Sequence, residues 1–327
     1  MRENRMNRRQ LLLGVATLGV LPGRDAAAQQ KAKPVIGVLG EGNPEDPGIA
    51  LNLAMFRRGL KQEGFVDGQN VEIVYRWARG RPELLPGLAG ELVALPVDVL
   101  VNEGGTITAV QAKKASSTIP IVVHASDAIA DGLVDTLARP SGNLTGVSQF
   151  TSATLTKAYQ LLSELVPKAG GFALVSTGQA PSVTERVLQD IAALKAVQVR
   201  PVVVDSDADI EAAYAMLGRD GVAAIVFANV GNAARLVAAA ARHRVPAIYS
   251  QRAFVQAGGL LSYGASIPAA YVIKGLYTGR ILKGARPGDL PVQQPSRFEL
   301  ALNLVTADML GLTVPQTILV AADEVID

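Results

Sequence analysis

Cysteine is absent from the 327-residue sequence, and histidine occurs only twice. Without cysteine there can be no disulfide, zinc–thiolate site, iron–sulfur cluster, thiol nucleophile or lipid-bearing cysteine. His124 and His243 alone cannot build a multi-histidine metal site. We therefore expect a chain that is stabilised by packing alone and that uses no metal and no cofactor.

A strong charge of one sign is also missing. The formal net charge is +2, charged residues make up 18% of the chain, and basic residues are scattered beyond the first nine positions. This pattern lacks the basic patch of nucleic-acid-binding proteins, so we expect no nucleic-acid partner. With 49% hydrophobic residues the composition is globular, and the length exceeds what one core usually serves, which predicts two lobes.

The first 28 residues have the pattern of a secretory signal peptide. An arginine-rich start precedes the apolar stretch 11–21, which is too short to span a bilayer comfortably. Three alanines at 26–28 give an A-x-A pattern, so cleavage is expected before Gln29. Arg8 and Arg9 resemble a twin-arginine signal, and an ordinary Sec signal explains the same residues. Either route predicts a periplasmic protein, whereas an uncleaved anchor is disfavoured.

Strand-like and helix-like segments alternate after this signal. Continuous apolar strands are predicted at 34–40, 71–78, 97–102 and 119–125, each followed by a helical segment. In the first helix Leu53, Phe56 and Leu60 recur at spacings of three and four and share one face. Such βα units predict a parallel sheet that is covered on both faces.

The stretch "LARPSGNLTGVS" at 137–148 separates this series from a second one. Gly142 and Gly146 permit unusual backbone angles and Pro140 limits its own, so the stretch is expected to absorb hinge rotation, with a plain loop as the alternative. The second series is predicted from these segments: helices 151–166, 181–196, 207–218 and 231–243, and strands 170–176, 199–204, 221–229, 245–250 and 259–264. A further helix at 268–283 and a strand at 297–303 indicate that the chain returns to the first lobe and crosses back.

Several of these segments together resemble the ABC-transporter substrate-binding family that includes TrpX-like aromatic amino acid receptors. The most specific are "LARPSGNLTGV" and "LPVQQPSRFELALNLVTADMLGL", and the resemblance covers the whole mature chain. It implies a type I periplasmic-binding-protein fold: two Rossmann-like α/β lobes with parallel sheets, joined by a hinge of three crossovers, that close on a ligand. The chain departs from the family's usual Asp-Pro at Asp127 and Ala128.

The resemblance also implies a division of the chain and a set of partners. The first lobe is assigned to 34–140 and 267–288, the second to 148–264 and 291–327, and the crossovers to 141–147, 265–266 and 289–290. The expected partners are a small-molecule ligand and the permease subunits of an ABC transporter. An amino acid with an aromatic or branched side chain is the favoured ligand, and a monomer is expected.

Loops at the carboxyl ends of the predicted strands supply the candidate ligand-binding residues, because ligands of open α/β sheets bind outside those ends. In the first lobe the candidates are Glu41, Asn43, Asn102, Glu103, Gly104, Gly105, Thr106, His124, Ser126 and Asp127. In the second lobe they are Ser176, Gln179, Asn229, Tyr249 and Tyr263. No catalytic residue and no metal ligand is predicted.

The loop "NEGGTITA" is the most informative of these segments. Gly104 and Gly105 let a ligand approach the backbone, and Thr106 is expected to cap a helix whose free N–H groups favour a carboxylate. A satisfied cap that binds nothing is the alternative. Glu103 could then meet the ammonium group of an amino acid.

Four other residues have two interpretations each. Tyr249 and Tyr263 could cover an apolar ligand or pack in the core. Arg252 could pair with an anionic ligand or be solvated, and His124 could be a polar pocket residue or a satisfied buried histidine.

Three functions compete on this basis. A solute receptor that is not an enzyme is favoured over a two-lobed hydrolase using His124, because no G-x-S-x-G elbow, P-loop or G-x-G-x-x-G fingerprint is present. A ligand-responsive transcription regulator is disfavoured, because residues 1–33 contain no helix-turn-helix.

Overall fold

The structure is a computed structural model that describes residues 33–149, 152–176, 199–204, 206–227 and 233–327. The predicted signal peptide, the predicted helix at 181–196, Gln179 and Asn229 lie outside the described residues. Within the described ranges, no helix combines the length and the hydropathy that crossing a membrane requires.

The first sheet contains five parallel strands in the order β2-β1-β3-β4-β5. They are β1 (Val35–Gly40), β2 (Glu72–Trp77), β3 (Val99–Glu103), β4 (Ile121–Ala125) and β5 (Leu144–Ser148). Strands β3, β4 and β5 are buried along their whole length, as expected for strands covered on both faces. Strands β3 and β4 overlap predicted strands, whereas β5 was not predicted.

Four helices cover this sheet. They are α1 (Pro47–Gln62), α2 (Leu85–Ala94), α3 (Thr106–Ala115) and α8 (Ile267–Leu282). Helix α8 arrives from far along the chain, as the sequence predicts, and packs against α1. A Cβ on Gly59 would lie 2.1 Å from the Val272 carbonyl oxygen, and one on Gly275 would lie 2.1 Å from that of Phe56. The two helices therefore touch backbone to backbone.

The second sheet contains seven strands in the order β12-β11-β10-β9-β8-β6-β7. They are β6 (Gly171–Ser176), β7 (Val199–Val203), β8 (Val222–Phe227), β9 (Ala247–Tyr249), β10 (Leu261–Ala265), β11 (Phe298–Asn303) and β12 (Glu324–Ile326). Strand β11 runs antiparallel to β10, so this sheet is mixed rather than wholly parallel. A strand that enters from the third crossing need not follow a right-handed βα connection, which explains the reversed direction.

The described helices beside the second sheet are α4 (Ser152–Leu165), α5 (Asp207–Arg219), α6 (Ala233–Arg242), α7 (Arg252–Gln256), α9 (Leu304–Met309) and α10 (Gln316–Ala321). Two apolar clusters form the core of this lobe. One includes Leu162 and Leu261, and the other includes Tyr214 and Phe254. The fold is thus a two-lobed α/β architecture.

Two crossings differ from their predicted positions. Residues 144–148 form β5, hydrogen-bonded to β4, so the chain leaves the first sheet after Ser148 rather than within 141–147. Later, the N–H of Gln293 donates to Gly146 (2.9 Å) and the N–H of Ser148 donates to Gln293 (2.9 Å), so the chain stays beside the first sheet past 289–290. At the middle crossing β10 ends at Ala265 and α8 begins at Ile267.

Gly146 serves close packing within the sheet. Its φ is +146°, and a Cβ there would lie 2.0 Å from the Val123 carbonyl oxygen of the neighbouring strand. Only glycine fits this position without displacing β4. The glycine that the sequence associates with hinge rotation is therefore required by strand-to-strand contact.

Candidate functional site

The carboxyl ends of β1, β3 and β4 bring the first-lobe candidates to one edge of the sheet. The N–H of Glu41 donates to the Glu103 carbonyl (3.1 Å), which ties the loop after β1 to the end of β3. Gly104 has φ +118°, and a Cβ there would approach the Glu41 carboxylate to 3.2 Å. We call this group of loops, with the α8 side chains beneath them, the charged edge.

Asn102 lies at the charged edge but is fully buried, and its amide group bonds only to the protein. Its Oδ1 accepts from the N–H of His124 (2.8 Å), and its Nδ2 donates to the His124 carbonyl (2.9 Å). The same Nδ2 donates to Thr108 Oγ1 (3.0 Å) and to the Gly105 carbonyl (3.1 Å). Asn102 therefore joins β3, β4 and the start of α3, and this differs from the predicted ligand contact.

Thr106 is the first residue of α3, and the N-cap position belongs to Gly105. This corrects the expected cap, because the Thr106 hydroxyl is used elsewhere. It donates to Asp131 Oδ2 (2.7 Å) and accepts from the N–H of Ser126 (3.1 Å). The hydroxyl thus fixes the loop after β4 to α3 and leaves the backbone N–H groups of the helix N-terminus as the groups that can receive an anion.

The carboxylate of Glu41 lies near this helix N-terminus, beside Gly104. Burial raises its pKa, the nearby Glu103 carboxylate raises it further, and the Gly105 backbone lowers it. The positive end of the α3 dipole favours a negative charge at this position. A carboxylate of the protein therefore lies close to the N–H groups at which the sequence predicts a ligand carboxylate.

Glu103 belongs to a buried cluster that also contains two side chains of α8. Its carboxylate, only 3% exposed, accepts from the Tyr271 hydroxyl (3.1 Å). Lys274 is fully buried, lies 4.1 Å from the centre of the Tyr271 ring and donates to the Asn102 carbonyl. Tyr271 and the charge of Lys274 are thus partners of Glu103 within the protein, beside the ammonium group of a ligand that the sequence predicts there.

Burial and the neighbouring opposite charge shift the pKa values of Lys274 and Glu103 in opposite directions. Burial lowers the pKa of Lys274 to about 7, and the Glu103 carboxylate acts in the opposite direction. Burial also raises the pKa of Glu103, while Lys274 and the Tyr271 hydroxyl lower it. Tyr271 and Lys274 were missed in the sequence, although a lysine on the apolar face of the helix 268–283 was a usable signal, since lysine is rarely buried without a partner.

His124, the next-to-last residue of β4, is 7% exposed, and its ring lies 5.8 Å from the ring of Tyr271. Neither ring nitrogen has a hydrogen-bond partner. Burial lowers its pKa to about 4, and the positive charge of Lys274 acts in the same direction. Gln149 and the Gly104 backbone are polar neighbours that act against this shift. His124 is therefore a neutral imidazole with unused donor and acceptor capacity.

The remaining first-lobe candidates have local roles. Asp127 Oδ1 accepts from the N–H groups of Ile129 (3.1 Å) and Ala130 (3.0 Å) and so caps its own turn, which leaves it a structural residue rather than the predicted ligand contact. Asn43 is exposed, and its Oδ1 accepts from Arg79 (3.3 Å). The N–H of Ala128 donates to the Ser148 hydroxyl (3.0 Å), a bond that proline could not make.

The second sheet presents a different surface at the carboxyl ends of β8, β9 and β10. A recess there is lined by apolar side chains including Leu155, Ile225 and Ile248, together with Gln149, Ser250 and Tyr263. None of the described residues that line it carries a charge. We call it the neutral recess.

The second-lobe candidates divide between this recess and the core. Tyr263 is half-buried, lines the recess and stacks on Phe298 with ring centres 5.7 Å apart. Tyr249 borders the recess but is 1% exposed, with its ring stacked on Phe254 at 4.9 Å, so it is chiefly a core residue. Ser176 is buried at the end of β6.

Two further side chains bear on the chemistry of this site. Arg252 forms an ion pair with Glu324 (2.5 Å). Its guanidinium group therefore has an anionic partner within the protein, whereas an anionic ligand was one interpretation of this residue from the sequence. In the described part of the chain, no three His, Asp or Glu side chains converge as a metal site would require.

A family model described as ABC transporter substrate binding protein matches residues 45–326. A curated relative from Clostridioides difficile (strain R20291), described as a tyrosine-binding protein, is 25% identical over 289 residues. The alignment covers 86% of this chain and 83% of the relative.

Two solved structures superpose on this chain with a TM-score of 0.81 at 26% identity. One is a conserved domain protein from Vibrio cholerae, with 90% of this chain and 99% of that chain covered. The other is an ABC domain from Streptococcus pneumoniae in complex with L-Trp, with 90% and 100% covered.

Proposed function

From the fact that the chain belongs to the ABC transporter substrate-binding protein family, we propose that it is a periplasmic receptor for an aromatic amino acid. The receptor closes on its ligand and delivers it to the permease of an ABC transporter. The observation that carries the ligand class is the contrast between the charged edge and the neutral recess. A zwitterion with an apolar side chain is complementary to both.

The charged edge suits the amino and carboxylate groups of an amino acid. The carboxylate of Glu41 can accept from the ammonium group, and the N–H groups of Gly105 and Thr106 at the start of α3 can donate to the ligand carboxylate. Glu41 then exchanges its contact with the Gly105 backbone for one with the ligand. His124, neutral and without a partner, offers one more hydrogen bond at the same edge.

The neutral recess suits the side chain of the ligand. Tyr263 presents an aromatic ring that can stack on another ring, and Leu155 and Ile225 add apolar surface. The curated relative is named for tyrosine and one solved relative contains L-Trp, which supports an aromatic ligand. Ligand-driven closure then requires that contacts with the recess and with the charged edge form together.

The same geometry argues against the hydrolase alternative. A general base needs a neighbour that orients it, yet no hydrogen bond joins His124 to a carboxylate among the described residues. The nearby Asp127 is engaged by the backbone of its own turn. We therefore propose a binding protein without enzymatic activity.

Isothermal titration calorimetry on purified protein tests this function. The protein is first unfolded and refolded to remove bound metabolites, and is then titrated with L-Tyr, L-Trp, L-Phe and L-Leu. We expect a Kd of about 1 μM or below for at least one aromatic amino acid, which corresponds to about −8 kcal/mol. The D-enantiomers are the control, because they cannot place all three groups at once. No binding of any of these amino acids would contradict the proposal.

Location and assembly are tested separately. We propose that the chain is exported through a Tat or Sec signal and works as a monomer. Osmotic-shock fractionation is expected to release it, and light scattering is expected to give the mass of one chain. Replacing Arg8 and Arg9 by lysine distinguishes the routes, because a Tat signal depends on the arginine pair and a Sec signal needs only positive charge.

A further inference from the structure

Ser250 stands out in the neutral recess because its hydroxyl has no partner. The residue follows β9, is 9% exposed and lines the recess together with Tyr263. Its Oγ is buried without a hydrogen bond. A buried hydroxyl that makes no bond is costly, so such a group indicates a site that another molecule completes.

The position of this hydroxyl is fixed by tight strand packing. A Cβ on Gly264 would lie 1.9 Å from the Ser250 carbonyl oxygen, so β10 lies directly against the backbone of Ser250. No sequence pattern marks Ser250 for this role, because a single serine after a strand is common. Strand packing holds the Ser250 backbone at the recess.

The space at this position is small. The recess has a volume of about 10 Å³, roughly the space that one water-sized group occupies. An aromatic ring does not fit into such a volume, whereas a hydroxyl at the far end of a ring does. The ring itself would then lie at the mouth of the recess, against the half-buried Tyr263.

We propose that Ser250 is a specificity-determining residue that selects an aromatic ligand with a hydroxyl group at the far end of its ring. This inference rests on the proposed function and adds the chemistry of the side chain that is selected. The Ser250 hydroxyl bonds to the ligand hydroxyl, so a ligand with an unsubstituted ring leaves it without a partner. A site built to bond a hydroxyl rejects the analogue that lacks it far more strongly than an apolar pocket does.

A ligand series on the unmodified protein tests this first. L-Tyr is compared by calorimetry with L-Phe and with 4-methyl-L-phenylalanine, which keeps the size of L-Tyr but cannot bond. We expect L-Tyr to bind at least about tenfold more tightly than either analogue. Equal binding of L-Tyr and L-Phe would overturn the proposal and would mean that the recess holds only a water.

Variants then assign the selectivity to Ser250. Ser250→Ala is expected to weaken L-Tyr about tenfold and to leave L-Phe within about twofold. Ser262→Ala removes another buried serine of the same sheet, on β10, and is expected to keep the L-Tyr to L-Phe ratio of the unmodified protein. Thermal melting confirms that both variants fold.

The two proposals fail in different ways. If Ser250→Ala retains the full preference for L-Tyr, Ser250 does not select the hydroxyl, although the receptor function stands. If the unmodified protein binds none of the aromatic amino acids, the receptor proposal fails with it.

Discussion

The charged edge and the neutral recess occupy equivalent ends of two similar sheets, yet their chemistry is opposite. The charged edge contains Glu41, Glu103 and Lys274 at low exposure, whereas the described lining of the neutral recess has no charge. The difference arises from α8, which returns from the second sheet and places Tyr271 and Lys274 under the loops of the first. We propose that one lobe binds the charged groups of the ligand and the other its side chain.

The opposite charges of Glu103 and Lys274, both buried at the charged edge, give the largest expected effect. Lys274→Met removes the nearby positive charge that lowers the pKa of Glu103 and the donor to the Asn102 carbonyl, so we expect the free energy of unfolding to fall by about 3–5 kcal/mol in urea titrations at pH 7. The double variant Lys274→Met/Glu103→Gln removes both charges and is expected to recover at least half of the loss.

The exposed Lys283, just beyond the same helix, offers a matched control. Lys283→Met breaks a surface pair with Glu63 and is expected to leave stability nearly unchanged. If Lys274→Met were as stable as Lys283→Met, the charged edge would not depend on its buried cation.

The pH dependence of stability gives a second test of the charged edge, through the buried side chain of His124. Burial holds its pKa at about 4 in the folded protein, against 6.5 ordinarily, so the unfolded chain binds more protons between these values. Stability is therefore lost as the pH falls from about 6.5 to 4, and the loss amounts to about 3 kcal/mol. His124→Gln removes this contribution.

Unfolding titrations at pH 7 and pH 4 measure the difference. The unmodified protein is expected to lose about 3 kcal/mol more than His124→Gln over this interval. An identical pH dependence in both proteins would show that His124 titrates normally and is not a buried neutral group.

The contact between α1 and α8 gives an intermediate effect. Gly275→Ala places a methyl group against the Phe56 carbonyl, so the helices must separate. We expect a loss of about 1–3 kcal/mol in unfolding free energy, together with weaker ligand binding, because α8 also positions Tyr271 and Lys274. Gly48→Ala is the control, since open space surrounds its Cβ position in α1 and no clash results.

The smallest expected effect is on the affinity for the ligand. Glu41→Gln removes the carboxylate that is proposed to bind the ammonium group, so we expect affinity for L-Tyr to fall at least about tenfold without a matching loss of stability. Glu45→Gln, in the same loop but exposed and paired with Arg79, is expected to bind like the unmodified protein. Equal effects of both variants would remove Glu41 from the site.

Much of the fold could be predicted from the sequence because local patterns encode it. Apolar runs predicted the strands, and spacings such as Leu53, Phe56 and Leu60 predicted the helices. The first crossing was predicted too early in the chain, because Gly146 was interpreted as a flexible residue. In the structure a glycine is required there by contact with Val123 in the next strand. That contact depends on the sheet and is not visible in the segment itself.

The site could be predicted only in part for a related physical reason. The loops after β1, β3 and β4 were found from the rule for open sheets. Tyr271 lies 168 residues from Glu103 in the sequence, so its hydrogen bond to that carboxylate is visible only in the folded structure. Thr106 and Asn102 were interpreted as ligand groups because a sequence does not show which polar atoms the protein itself satisfies.

A crystal structure of the refolded protein with saturating L-Tyr is the decisive test of the proposed binding mode. We expect density between the lobes, with the ligand ammonium group within hydrogen-bonding distance of the Glu41 carboxylate and the ring against Tyr263. Density with the amino acid backbone in the neutral recess, or bound away from both surfaces, would contradict it.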